Sequence, residues 1–268
     1  MPHENPDPTR ERAESMADVV ENPFTITPGT VQQGHKRVRA FSAGELVADT
    51  LAPLQVWEHP YFPEYFFTAQ DLEVELRPAG RGPRSKVLGV SDVFDVVIGD
   101  RVLPRAARRH PEAEVPAVRE AYALTWSAFD TWMEEDEIVF THPRSPYVRI
   151  DALASSRHVV VTCAGVVVAD SRRPVVLFET GLVPRFYLPQ ADVRMDLLTP
   201  VTTLSHCPYK GTATYWDVTV AGTTVADAAW SYRTPLPEST KIAGLVAFWP
   251  EKSPELHVLV DGQEIGVS

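Results

Sequence analysis

The sequence predicts a β-dominated α+β protein in which one small domain, a curled sheet or barrel with a single helix, occurs twice in tandem. Three observations predict it. The chain matches itself over a long stretch, each matching half alternates apolar and polar residues with the period of a strand, and 268 residues divide into two units of ordinary domain size.

The self-match starts at Gly44-Glu45-Leu46-Val47-Ala48-Asp49, which lies on Gly165-Val166-Val167-Val168-Ala169-Asp170 at an offset of 121. The same offset pairs Pro53 with Pro174, Glu58 with Glu179, Pro63 with Pro184, Asp71 with Asp192 and Leu76 with Leu197. After one inserted residue, Phe94-Asp95-Val96 lies on Trp216-Asp217-Val218 and Ala106-Ala107 on Ala228-Ala229. A gapless register of this length indicates duplication of a whole domain, because solenoid units run about 20–50 residues. The expected units are 31–140 and 155–268, with a linker over 141–154 and a disordered or extended arm over 1–30.

The elements follow the same order in each copy. Alternation over Lys36–Val47 and Arg157–Val168 predicts hairpins turning at Ala43-Gly44 and Ala164-Gly165. Glu64–Phe67 and Arg185–Leu188 read as a third strand, and Asp71–Leu76 and Asp192–Leu197 as a half-buried fourth. Further hairpins are expected at Phe94–Leu103 and Tyr215–Val225. Val118, Tyr122, Trp126, Phe129 and Met133 recur at helical spacing, so Val115–Glu134 is expected to be a helix. Pro237-Glu238 opens a second expected helix, to Phe248, before a last strand at Leu256–Val260.

Bulk properties exclude several functions. A net charge of −11 argues against a nucleic-acid surface and an anionic membrane surface. No apolar run approaches the ~20 residues of a membrane span, and Met1–Ser15 lacks the apolar core of a secretory signal, so the expected compartment is the cytoplasm. Two cysteines make no disulfide framework; Cys163 lies inside a strand pattern and reads as a core thiol. There is no phosphate-binding glycine loop, nucleophile elbow or metal-ligand spacing, and nothing specifies a cofactor or an oligomeric state.

Chemistry concentrates in the second copy. His206-Cys207-Pro208-Tyr209-Lys210-Gly211 offers an imidazole, a thiol and an amine on one shaped loop. The first copy has Arg84, Ser85, Val87 and Leu88 opposite His206, Cys207, Tyr209 and Lys210, and keeps only the glycine, Gly89. Arg173 and Arg185 are cationic in the second copy alone, and Trp230-Ser231-Tyr232 faces Arg108-Arg109-His110. As neighbours on a strand, His206 and Cys207 would point apart, which argues against a nucleophile–base pair.

The ordered set Gly165–Arg173, Glu179-Thr180-Gly181-Leu182, Pro184–Tyr187, Asp192–Met195, His206–Ala213 and Asp227–Tyr232 resembles the family known as domain of unknown function 427, which also carries a nucleotidyltransferase-like label. The resemblance is strong over about 155–265 and weaker over about 35–140. It implies a small β-rich domain found alone or in tandem. The family's characteristic polar positions then fall on Arg173, Glu179, Arg185, Tyr187, Asp192, His206, Cys207, Tyr209, Lys210, Trp230 and Tyr232. The first copy departs from that pattern at two stretches and is expected to be degenerate.

The resulting expectation is a small-molecule enzyme, a transferase acting on a phosphate- or carboxylate-bearing substrate, with one pocket in the second copy. Glu179, His206, Cys207 and Lys210 would be its catalytic groups; Arg173, Arg185, Tyr187, Tyr209, Trp230 and Tyr232 would bind substrate. The rival expectation is a metabolite- or partner-binding module without turnover.

Overall fold

The computed structural model describes residues 26–265. The arm expected over residues 1–30 lies, up to residue 25, outside the described residues. Each copy begins its sandwich with a hairpin, Val38–Ser42 with Glu45–Thr50 and Val159–Cys163 with Val166–Ser171. Both corners of each turn have positive φ, 50° and 81° at Ala43-Gly44 and 46° and 77° at Ala164-Gly165. Two left-handed corners make the tight turn whose twist suits a two-strand ribbon.

In the first copy Val31–Gln33, Leu54–Val56, Glu64–Thr68, Ala121–Leu124, Arg101–Arg109, Gly89–Ile98 and Glu75–Ser85 form, in that spatial order, one antiparallel sheet. A second sheet runs Glu137–Val139, Thr131–Glu134, Val38–Ser42, Glu45–Thr50. The second copy repeats both orders. Its long sheet runs Ile150–Ala154, Val175–Glu179, Arg185–Tyr187, then Ala247–Phe248, Thr223–Tyr232, Gly211–Val220 and Leu198–Cys207. The join in the middle is a single residue pair, where Leu188 and Val246 exchange backbone bonds of 2.7 and 2.9 Å. Gln263–Ile265, Leu256–Val260, Val159–Cys163 and Val166–Ser171 make its second sheet. Bulges fall at matching places, Phe94/Val96 and Trp216/Val218, and curl both long sheets without closing a barrel.

Each copy has two cores. Between its sheets the first packs Val38, Ala40, Phe67, Val96 and Trp132, and the second Val159, Val161, Leu188, Val218 and Val258. Cys163 is fully buried in the latter, as its strand position predicts, and burial pushes its thiol pKa up. A smaller cluster lies on the outer face of each long sheet, Phe66, Leu88 and Val118 in one and Tyr187, Trp230, Tyr232 and Ile242 in the other.

The helices are much shorter than the apolar spacing suggests. Val115–Glu134 yields one turn, Pro116–Arg119, and then strands Ala121–Leu124 and Thr131–Glu134. Ala121–Leu124 bonds to a strand on each side, and that backbone demand overrides helical periodicity. Pro237–Phe248 likewise gives a 3-10 helix, Pro237–Ile242, and a short strand, Ala247–Phe248. The expected fourth strand is also corrected. Ala69–Asp71, Gln190–Asp192 and Met195–Leu197 are 3-10 turns. Single bridges, Ala48–Leu72 and Ala169–Val193, tie the segment to the hairpin, and only its end in the first copy, Glu75-Leu76, enters a paired strand. Asp71 explains the first turn, since its carboxylate accepts from the Thr68 backbone and hydroxyl at 2.8 and 2.6 Å. No helix among the described residues is long and apolar enough to cross a membrane.

Phe67 is fully buried between the sheets whereas Leu51 is 73 % exposed. Phe67→Ala is expected to cost about 3–5 kcal/mol and Leu51→Ala less than about 0.5 kcal/mol, as read from urea unfolding midpoints.

Candidate functional site

Strand Leu198–Cys207 passes through Pro208-Tyr209-Lys210 into strand Gly211–Val220. Gly211 has φ +95°, and a Cβ there would sit 3.4 Å from the Thr234 carbonyl, so the turn needs glycine. The turn carries the Lys210 ammonium inward to a direct ion pair with Glu179, at the end of strand Val175–Glu179. The two side chains are 11 % and 9 % exposed. Losing either partner would leave an uncompensated charge in a poorly hydrated place.

An aromatic wall surrounds the pair. The Trp230 indole N–H donates to the Tyr187 hydroxyl at 3.1 Å, and the rings meet edge to face at 6.1 Å. Tyr232 packs in the same cluster with the half-buried Cys207 beside it. Burial drives the Tyr187 and Tyr232 hydroxyls above the usual phenol range, and the nearby Glu179 and Cys207 add to it. Tyr209 is pushed up to about 12, chiefly by burial.

The cations expected to hold an anion are each matched by a carboxylate. Lys210 has Glu179. Arg185 grips Glu251 with two bonds of 3.0 and 2.8 Å, its guanidinium 5.9 Å from the Trp230 ring. Arg173 grips Asp192 at 3.0 and 2.8 Å on an exposed edge, and so stabilises a 3-10 turn. The structure therefore gathers Glu179, Lys210, Cys207, Tyr187, Trp230, Tyr232 and Arg185 and leaves Arg173 apart.

His206 faces the other way. Its ring stacks on Phe140 at 5.7 Å, and its Nδ1 bonds the Thr212 hydroxyl at 2.9 Å. Cys207, one residue on, packs against the aromatic cluster, as strand alternation requires. The tip of the turn also looks towards the linker and the first copy. The Ser145 N–H donates to the Tyr209 hydroxyl at 2.7 Å, and Arg144 Nε to the Pro208 carbonyl at 2.6 Å. A cavity of about 620 Å³ opens along this seam, with Lys36, Glu134, Phe140, Arg144, His206 and Cys207 in its walls. A neighbouring hollow of about 520 Å³ shares Lys36 and Arg144 and adds Gln55, Tyr147 and Tyr209.

A family model described as a domain of unknown function (DUF427) matches residues 30–135 and again 151–261. The chain belongs to this family. None of the curated proteins matches it significantly.

The first DUF427 copy holds a cluster that its sequence conceals. Glu58, the partner of Glu179 in the duplication, is met by Arg108 at 3.2 Å, and Arg108 also pairs with Glu64. The Ser85 hydroxyl donates to Glu58 as well. Beside them His110 is 2 % exposed with neither ring nitrogen bonded among the described residues, and burial lowers its pKa. Glu58, Ser85, Ser91, Arg108 and His110 line a cavity of about 430 Å³. The available signal was the shared acid together with an arginine two strands away; Leu88 in the lysine's place obscured it.

Tyr209, Tyr187 and Tyr232 are held un-ionised by the fold, so the folded state binds more protons than the unfolded one above about pH 10. Stability is expected to be level up to about pH 8, to fall gently as the Cys163 thiol ionises in the unfolded chain, and to fall more steeply above about pH 10. Tyr209→Phe should flatten that steeper part, as measured by urea midpoints between pH 8 and 11.

Proposed function

We propose that the chain is a small-molecule-binding module whose ligand, carrying a phosphate or carboxylate group, sits in the seam between the two DUF427 copies. One observation carries this reading: the side chains that distinguish the second copy's turn, His206, Cys207 and Tyr209, line the seam cavities together with Lys36 and Arg144. Arg144 and His206 would meet the ligand's acidic group, and Phe140 and Leu236 its apolar part.

The acidic run on the opposite wall is largely engaged. Glu134 is bound by Lys36 and by the Tyr65 hydroxyl at 2.8 Å, Glu135 accepts the Arg37 N–H at 2.9 Å, and Asp136 pairs with Arg39 at 2.8 Å. That leaves Glu137 to oppose an anion, while Arg144 would exchange its 3.2 Å pairing with Glu238 for the ligand. In this reading Glu179 and Lys210 are a buried prop that fixes the turn.

Transfer chemistry on the same class of ligand is the second reading, favoured by Cys207. Cys207 is among the residues lining the seam cavity, half-buried and three residues from Lys210. Turnover would need a proton-moving group within about 3 Å of the reacting atom, and His206, which faces away from Cys207, would have to serve the ligand directly and not the thiol.

Incubation with a metabolite extract, followed by mass spectrometry of what is retained and what is consumed, separates the readings. Retention without consumption, weakened at least tenfold in Arg144→Gln and in His206→Ala, is the expected result. Unchanged retention in both variants would overturn the seam site; consumption that Cys207→Ala abolishes would establish the second reading.

A further inference from the structure

The duplication supplies an internal control for a different cavity, inside the sandwich of the second copy. It has a volume of about 350 Å³, and its inner walls are Val159, Val161, Leu188, Phe248 and Val258, each at most 5 % exposed. Phe178 and Val183, half exposed, stand at its mouth. The strand registers give the equivalent residues in the first copy. Val161 faces Val258 as Ala40 faces Trp132, and Ala229 faces Phe248 as Ala107 faces Leu124. Leu188 falls on Phe67 by the repeat offset.

In the first copy this space is filled. Trp132 stacks on Trp126 at 4.3 Å, contacts Phe67 at 6.2 Å, and ties its indole N–H to the Trp126 carbonyl at 3.0 Å. The mouth there is covered by the linker, with Tyr147 on Trp57 at 6.0 Å and His142 stacked on Phe62 at 3.7 Å. Val258 in place of Trp132 and Leu188 in place of Phe67 hollow out the second copy, and Phe178 and Val183 stand 44 % and 56 % exposed.

The charges at the mouth differ too. Arg157 and Arg185 are the charged side chains that line the cavity. Arg157 donates from Nε to Asp261 at 2.8 Å and lies 5.5 Å from the Phe186 ring. Its two terminal amino groups hold no hydrogen bond among the described residues, an arrangement ready for a carboxylate. Its counterpart Lys36 is bound to the buried Glu134, at a position where the second copy has Val260.

We infer that the second copy binds a medium-chain monocarboxylic acid, with the hydrocarbon chain between its sheets and the carboxylate on Arg157. A well-packed core without an occupant would not keep a cavity that a larger side chain fills in its twin. This site is separate from the seam, and its loss would leave the seam reading untouched.

Titration calorimetry with straight-chain carboxylates of four to twelve carbons and with the matching alcohols tests it on the full chain. Affinity is expected to rise about threefold to fourfold per methylene until the cavity is full, with each acid at least tenfold tighter than its alcohol. Val258→Trp, which rebuilds the first copy's plug, should abolish binding and keep or raise Tm; Leu188→Phe serves if that variant does not fold. Arg157→Gln should erase the preference for acids, while Arg77→Gln, exposed in the first copy and away from both cavities, should change nothing. Wild-type binding in a folded plug variant, or equal affinity for acids and alcohols, would overturn the inference. So would sedimentation showing a dimer that closes the mouth and that the acids do not perturb.

Discussion

A carboxylate carried inward at the same place in both copies must find a cation, and much of what distinguishes the copies follows from how each one supplies it. Glu179 takes Lys210 from the hairpin turn, whereas Glu58 takes Arg108 from strand Arg101–Arg109, farther along the same sheet. Desolvated charges tolerate no vacancy of this kind. In the second copy the solution pulls the Pro208–Lys210 turn inward and aims Tyr209 at the linker. In the first, Leu88 is free to enter the outer core, and the arginine stands where Trp230 stands in its twin. The aromatic wall is lost there, and a polar cavity beside His110 takes its place.

The duplication was legible because it rests on backbone requirements. Paired left-handed corners at Ala43-Gly44 and Ala164-Gly165, and the glycines at 89 and 211, are demanded by φ values that few residues accept, so they persist in sequence. The first hairpin and the third strand of each copy followed from the same repeat. The helices misled because an apolar residue every three or four positions also suits a short strand, a turn and another strand. What decided between them was the hydrogen-bonding slot between Glu64–Thr68 and Arg101–Arg109, which lies far away in sequence.

The predicted set gathers only in part: Glu179, Lys210, Cys207 and the aromatic residues come together, whereas Arg173 lies apart and His206 faces the other way. The aromatic and acidic residues of the second copy do gather, since they were picked from strands of one sheet. Which cation meets which carboxylate depends on distances across strands: Arg173 with Asp192, Arg185 with Glu251 and Lys210 with Glu179 are partnerships that the sequence does not order. The same limit hid the Glu58–Arg108–Glu64 cluster. It also hid the seam, because no periodicity says that a turn in one copy will face the linker that leads away from the other.

The measurement that bears most directly on this account is a double-mutant cycle on Glu179 and Lys210, read by urea unfolding. Glu179→Leu and Lys210→Met should each lower stability by about 3–5 kcal/mol, and the double variant should recover most of that loss, because no unpaired charge then remains inside. Losses that simply add would show that the two groups are independently solvated and that the pair does not hold the turn in place.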